Sequence, residues 1–428
     1  MRFVHVNHRY YPYVGGSERY MQEVSEMLAA IGHDVSVVTS DAYDLEYFWD
    51  RRRAAVNAPS SEVLNGVEVV RVPVRHVPGS PLVFQASRRL LGETSRLPMP
   101  AAPFSRLSSN LPWMPTLAET IASKLPIDGL HVANVGLEGL AITAARAVRR
   151  RAVPLIVTPF IHLGGAEDRI ARRYVSMPHQ RKLLQSAQSV VTMTNIEASF
   201  VTSLGISPDR IHVSGVGINP SEVTRGDGAR FRVRHGVSGA LVGTVGAVAF
   251  EKGSADLVRA VGDLRRRGHD VELALAGPRL ERFNHWFATL TNEERSGIHL
   301  PGFIDEAEKR DLLAALDVLA MPSRTESFGI SYLEGWANRK PVLAANSGAV
   351  PELVRHGENG ILVEYGDRRA IADSLLDLLA DTTRARMMGD RGYALTMGRY
   401  TWPSVLDRVR GAYSRALGFE LPEVATYG

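Results

Sequence analysis

The sequence predicts two doubly wound α/β domains facing each other across a cleft. Short apolar runs rich in Val, Ile and Leu alternate with segments whose apolar residues recur at helical spacing, the pattern of a parallel sheet wrapped by helices. The pattern stops at a polar link over 220–239 and then starts again, which implies a second sheet. The chain's 428 residues suffice for two full cores. The expected division is 1–217 for the first domain and 218–399 for the second, with 400–428 carrying a helix that crosses back to the first.

The first domain opens as strand, glycine turn, helix, strand. Phe3, Val4 and Val6 begin one strand, and Val35, Val37 and Val38 form the next. Between them Tyr20, Met21, Val24, Met27 and Leu28 make a helix stripe that Gly32 closes. Gly15 and Gly16 precede that helix. Such glycines let backbone approach a ligand at a helix start, and a tight turn alone also wants them, so both readings stay open. Further strands are expected at 67–72, 129–132, 155–158, 189–194 and 211–213, with a helix at 139–148. His162 falls just past the end of the 155–158 strand, at the edge where open α/β sheets bind ligands. Residues 78–115 stand apart. Pro78, Pro81, Pro98, Pro100, Pro103, Pro112 and Pro115 punctuate them, predicting a long irregular segment. It reads either as an acceptor-side lid or membrane-touching region, or as a plain structural insertion.

In the second domain a strand over 240–246 enters a turn containing Ala247, Lys252 and Gly253, and Leu257, Val258, Val261 and Leu264 then mark a helix. Strands follow at 271–277, 298–300, 318–321, 342–345 and 361–363, and a last helix runs from Trp402 to Leu417. The segment after the 318–321 strand organises the rest. Pro322-Ser323-Arg324-Thr325-Glu326-Ser327-Phe328-Gly329 is a turn of small and polar residues before a helix stripe at Ile330, Leu333, Trp336 and Ala337, with Ser327 as the expected cap. A strand entering a helix this way leaves backbone N–H groups free at a positive dipole end, a ready phosphate site. Glu326 lies in the turn and Glu334 in the helix. At about 1.5 Å per residue they are on the order of 10–12 Å apart, wider than the roughly 5 Å of a retaining hydrolase's carboxylate pair. Such a spacing suits two hydroxyl-bearing rings joined by a diphosphate. Lys252, one of only five lysines, is a plausible point charge for that diphosphate, against the ordinary fate of an exposed loop lysine. Glu352 is expected to cap a helix or brace its loop.

Composition narrows the function. Hydrophobic content of 45% and charged content of 22% describe a soluble globular protein. The net charge, 50 − 46 = +4, is too small to imply nucleic acid, and no stacking aromatic stripe accompanies the scattered basic residues. The Arg triplets at 51–53, 149–151 and 265–267 read as solvated helix ends, with an anionic membrane surface as runner-up. The absence of Cys excludes disulfides and thiol catalysis. The N-terminus opens directly as a strand and no apolar run reaches transmembrane length, which predicts a cytoplasmic chain, with association at the cytoplasmic face of a membrane left open.

Taken together these residues resemble the retaining GT-B glycosyltransferases of the large family 4 group, the glycosyl transferases group 1. Gly246 through Lys252-Gly253 matches the family's phosphate turn, and Glu326-x7-Glu334, with Ser327-Phe328-Gly329 between, matches its two-glutamate motif. Pro341-Val342, Gly348-Ala349-Val350-Pro351-Glu352 and His356-Gly357-Glu358-Asn359-Gly360 fit as well, as do Gly15-Gly16 and His162 in the first half. The resemblance implies a GT-B fold and transfer of a hexose, with retention, from a UDP-, GDP- or ADP-linked sugar to a hydroxyl of a carbohydrate, lipid-linked or small-molecule acceptor. Glu334 would bind the ribose and Glu326 the transferred sugar. Lys252 and the backbone at Phe328, Gly329 and Ile330 would hold the diphosphate, and His162 would contact the reacting region. No cofactor is implied beyond the nucleotide sugar itself, a substrate. No Asp-x-Asp triplet occurs, so a metal-independent reaction is expected. One departure matters: the family often places Arg where this chain has Ala247, and Arg324, or Arg19, Arg172 or Arg173, is expected to compensate. A sugar-nucleotide 2-epimerase and a non-catalytic sugar-nucleotide-binding protein remain the alternatives. The oligomeric state is left open.

Overall fold

The structure, a computed structural model, describes residues 1–13, 15–164 and 168–423. The chain forms two compact units. One comprises residues 1–161, 169–215 and 405 onward; the other comprises His162–Gly164 with Asp168, and Val216–Ser404. The last residues of the segment expected to cross back, 424–428, lie outside the described residues.

The first unit is built on an eight-stranded sheet of β1 (Arg2–Val6), β2 (Asp34–Ser40), β3 (Ser61–Leu64), β4 (Val67–Val72), β5 (Gly129–Ala133), β6 (Leu155–Thr158), β7 (Ser189–Thr192) and β8 (Ile211–Val213), in the order β3-β4-β2-β1-β5-β6-β7-β8. Its central strands are buried on both faces, which is why they read as unbroken apolar runs. All pairings are parallel except β3 with β4. That hairpin escaped the sequence reading although Asn65-Gly66 marks it: both residues take positive φ, 48° and 80°, as a two-residue hairpin turn requires.

Residues 78–115 correct the expectation of an irregular segment. They contain the helices Leu82–Thr94 and Ala101–Ser108. The prolines fall at the starts of these helices instead of breaking them: Pro81 and Pro100 occupy the N-cap positions and Pro103 lies in the first turn of Ala101–Ser108, where a missing N–H removes no helical bond. Phe84, Leu91, Phe104, Leu111 and Met177 close a small core beneath them.

The C-terminal helix Trp402–Leu417 is held into the first unit by a buried polar chain. The Tyr413 hydroxyl lies 2.8 Å from His5 Nε2 and 2.7 Å from His131 Nδ1. His5 Nδ1 meets Ser25 Oγ at 2.7 Å and His131 Nε2 meets Thr158 Oγ1 at 2.7 Å, so both rings are fully engaged. Burial lowers the pKa of both, that of His5 to about 3, and both rings are neutral at pH 7.

The second unit carries a six-stranded parallel sheet of β9 (Ala240–Val245), β10 (Val271–Ala276), β11 (Ile298–Gly302), β12 (Val318–Met321), β13 (Val342–Ala345) and β14 (Gly360–Val363), ordered β11-β10-β9-β12-β13-β14. Leu257, Val261 and Leu264 of the helix Ser254–Arg266 pack with Ile371 and Leu375 of the helix Arg368–Ala380 in its core. Each such fully buried side chain contributes roughly 1.5–3 kcal/mol.

Candidate functional site

From β9 the second-unit chain winds outward to β10 and β11, then returns to lay β12 on the other side of β9. The strand order therefore reverses between β9 and β12, and in open parallel sheets the turns leaving such a pair flank the ligand crevice. Lys252 follows β9 and Glu326 follows β12. Both turns are shaped by glycine. Gly253 adopts φ +74°, and a Cβ there would stand 2.4 Å from the Pro322 carbonyl oxygen, so the two turns touch through backbone. Gly329 takes φ +101° as the N-cap of the helix Ile330–Ala337.

Gly329 corrects two expectations. Ser327 does not cap the helix; the cap is Gly329, which contributes no side-chain hydrogen bond. The helical rise therefore applies only from Ile330 to Glu334, because 326–329 is a bent loop ending in the left-handed Gly329 instead of helix. An uncapped start leaves donors free. Among the described residues no hydrogen bond engages the backbone N–H groups of Gly329, Ile330 and Ser331. Phe328 is buried and stacks edge-on against Tyr400, which fixes the loop from below.

The structure brings Lys252 and Glu326 together, with Nζ 2.6 Å from Oε1 and the carboxylate largely buried. His162 lies within electrostatic reach of the pair. It keeps an exposed face, but desolvation by the surrounding protein lowers its pKa, with Glu326 opposing and Lys252 adding to the effect. Gly348 packs into the same place: a Cβ there would meet the Leu163 carbonyl at 2.4 Å and the Glu326 carbonyl at 2.8 Å. Gly246 ends β9 at φ +140°, its N–H bonded to the Ala276 carbonyl at 2.9 Å. Glu352 sits inside the short helix Val350–Leu353, whose N-cap is Ala349, and so does not cap it.

Glu334 is buried on the same helix and meets a residue that the sequence did not single out. Lys309 Nζ is 3.2 Å from Glu334 Oε1 and 2.8 Å from Glu306 Oε2. Burial raises the pKa of Glu334 against the pull of Lys309. Burial also opposes the charge on Lys309, but Glu334 and Glu306 outweigh it and its pKa is raised. Of the arginines expected to compensate for Ala247, Arg324 is bonded to Asp168 at 3.0 Å, Arg19 to Glu23 at 2.6 Å and Arg173 to Glu93 at 2.8 Å; Arg172 lies over the Phe200 ring.

In the first unit the strand order reverses between β1 and β5, and Gly15-Gly16 follows β1. Gly15 is the N-cap of the helix Gly16–Ala30. Glu18 in its first turn is buried and bonded to Arg9 at 2.9 Å, so a carboxylate of the chain itself already faces this dipole end. Glu197, another residue missed in the sequence, accepts the N–H groups of Ile161 and Met193 at 2.7 Å each. It thereby fixes the backbone just before His162, next to Phe160 in a left-handed conformation at φ 49°.

Known proteins match this arrangement along most of the chain. A model described as glycosyl transferase 4-like domain matches residues 15–217, and one described as glycosyl transferases group 1 matches residues 239–381. The chain belongs to the group 1 glycosyltransferases. This glycosyltransferase is 25% identical over 427 residues to the MMP α-(1→4)-mannosyltransferase of Mycolicibacterium hassiacum, covering 97% of this chain and 98% of that one. It is 36% identical over 194 residues, 43% of this chain and 49% of the other, to a GDP-mannose-dependent α-(1-6)-phosphatidylinositol monomannoside mannosyltransferase of Mycolicibacterium smegmatis. Its fold matches the crystal structure of Anabaena HepE in complex with UDP and glucose, with a TM-score of 0.69 at 18% identity over 96% of this chain and 99% of that one. The glycosyltransferase thus has the GT-B fold.

Proposed function

We propose that this glycosyltransferase moves a hexose from a nucleotide diphosphate sugar to an acceptor hydroxyl with retention at the anomeric carbon and without a metal ion. The observation that carries this reading is the Lys252–Glu326 pair set beside the open N-terminus of the Ile330–Ala337 helix. Without donor the lysine and the carboxylate neutralise each other. A diphosphate offers Lys252 a stronger partner and offers the N–H groups of Gly329, Ile330 and Ser331 an acceptor. Glu326, released from Lys252, then accepts hydroxyls of the transferred sugar. Glu334, one helical turn further along, accepts the ribose hydroxyls. As the sugar–phosphate bond breaks, charge grows on the leaving phosphate, where a fixed lysine and fixed amide dipoles stabilise it most. His162, neutral at pH 7 by its lowered pKa, serves as a hydrogen-bonding contact at the reacting sugar instead of a cation.

The test is a panel of UDP-, GDP- and ADP-hexoses with sugar and polyol-phosphate acceptors, with the anomeric configuration of the product read by proton NMR. Retention and an unchanged rate in EDTA are expected. An inverted product overturns retention, and free nucleotide with a 2-epimer but no acceptor product overturns transfer. Lys252→Ala is expected to cut turnover about 10²- to 10³-fold.

A further inference from the structure

A cavity of about 570 Å³ lies in the first unit between the helices Ala101–Ser108, Gly139–Val148 and Pro178–Ser186. That volume is in the range of pockets that hold a ligand of several hundred daltons. Its lining includes Leu155 at the start of β6 and Gln188 just before β7, so it opens at the amino ends of the parallel strands. Gly15-Gly16 follows the carboxyl end of β1 in the same sheet, at the opposite edge. The cavity is therefore separate from the candidate site residues of this unit.

Its chemistry is two-sided. Ile142, Val148, Leu155 and Leu183 form an apolar floor, and Arg106, Arg146, Arg149 and Lys182 stand around it. No Asp or Glu lines it, and among the described residues none of these four cations is bonded to a carboxylate. This departs from the habit of the chain, where Arg88, Arg173, Arg230 and many others are paired with carboxylates. Of the other polar side chains of the lining, Ser105 and Ser186 donate to the Ala101 and Leu183 carbonyls at 3.0 and 2.7 Å and Gln188 accepts the Leu155 N–H at 2.7 Å, whereas His179 meets Glu138 through Nε2 at 2.7 Å and leaves a buried Nδ1 without a partner. Four solvent-exposed cations around one apolar floor, with no carboxylate in the lining, make a positive rim that favours an anion. A bare inorganic anion accounts for the cations but leaves the apolar floor without a partner. The loop that leads into the Arg106 helix also exposes Leu97 and Met99, at 54% and 42%.

We propose that this cavity binds an anionic phospholipid, with the phosphate held by Arg106, Arg146, Arg149 and Lys182 and the end of one acyl chain on the apolar floor. The test measures binding to the full-length protein by calorimetry, using dihexanoyl-phosphatidylglycerol below its micelle concentration, dihexanoyl-phosphatidylcholine and inorganic phosphate. The phosphatidylglycerol is expected to bind at least tenfold more tightly than either of the others. The double substitution Arg146→Glu with Lys182→Glu is expected to weaken it at least tenfold. Ala145→Trp, which fills the cavity, is expected to weaken the lipid and leave phosphate binding unchanged. Equal affinity for the two lipids overturns the proposal, as does phosphate binding as tightly as phosphatidylglycerol or a charge-reversed protein that binds the lipid normally. If a variant fails to fold, the comparison of the three ligands on the unaltered protein decides alone.

Discussion

Glu326 and Glu334 sit on one turn-and-helix segment, yet each is answered by a different lysine. Lys252 reaches Glu326 from the turn after β9, and Lys309 reaches Glu334 from the helix Glu306–Ala315. With its pKa raised by burial, Glu334 takes up a proton at a higher pH than an ordinary carboxylate. Donor affinity is therefore expected to decline as pH falls through that raised value, and Glu334→Gln should flatten the decline. Lys309→Met removes the charge that opposes the rise, so the decline should move to higher pH and affinity at neutral pH should fall about tenfold, or about 1.4 kcal/mol; calorimetric titration across pH 5–8 measures both. Gly329→Ala is expected to cost about 1–3 kcal/mol in urea unfolding and to abolish donor binding, because its Cβ at φ +101° would stand 2.4 Å from the Tyr332 ring. The sequence exposed Glu326, Glu334, Lys252 and Gly329 because they sit at short, fixed spacings. It hid Lys309 and Glu197, since what makes them matter is a partner chosen by tertiary packing: Lys309 lies on a separate helix, and the Glu197 carboxylate reaches back to Ile161.

At the level of elements, alternation of strand and helix was legible because buried parallel strands are continuous apolar runs and their covering helices are amphipathic. Proline was the misleading signal. Seven prolines over 78–115 suggest irregularity, but a helix start tolerates proline, and the apolar positions Phe84, Leu91 and Phe104 are what decide that segment. The C-terminal helix illustrates a different limit. Its stripe was readable, whereas the pairing of Tyr413 with His5 and His131, hundreds of residues away, was not. Tyr413→Phe leaves two buried imidazole nitrogens without a partner, and is expected to lower stability by about 2–6 kcal/mol, at about 1–3 kcal/mol for each orphaned group. Differential scanning calorimetry should show the loss in the transition of the first unit.

For the molecule as a whole, the buried histidines govern acid sensitivity. His5 and His8 have pKa values lowered to about 3 and about 4, and that of His131 is lowered well below the ordinary value, all chiefly by burial. The unfolded chain binds these protons near pH 6.5 while the folded chain refuses them. Their contribution to stability is therefore complete above that pH and is lost as pH falls toward 4, at about 1.4 kcal/mol per pH unit for each ring. Urea midpoints at pH 7.5, 5.5 and 4.5 should trace this fall, and His131→Gln should make it shallower.

The ladder where the chain enters and leaves the second unit has one more implication. Ile218 N–H meets the Tyr400 carbonyl at 2.9 Å, Trp402 N–H meets the Ile218 carbonyl at 3.2 Å, and a Cβ on Gly217 would stand 2.7 Å from Trp402. The two passages are thus stapled side by side, so the 216–404 block of the second unit, which also takes in His162–Gly164 and Asp168, begins and ends at neighbouring points of the chain. A block whose ends already meet is transplantable: exchanging residues 216–404 for the corresponding block of a relative requires two neighbouring junctions and no new linker, with His162–Gly164 and Asp168 left behind to meet the new block.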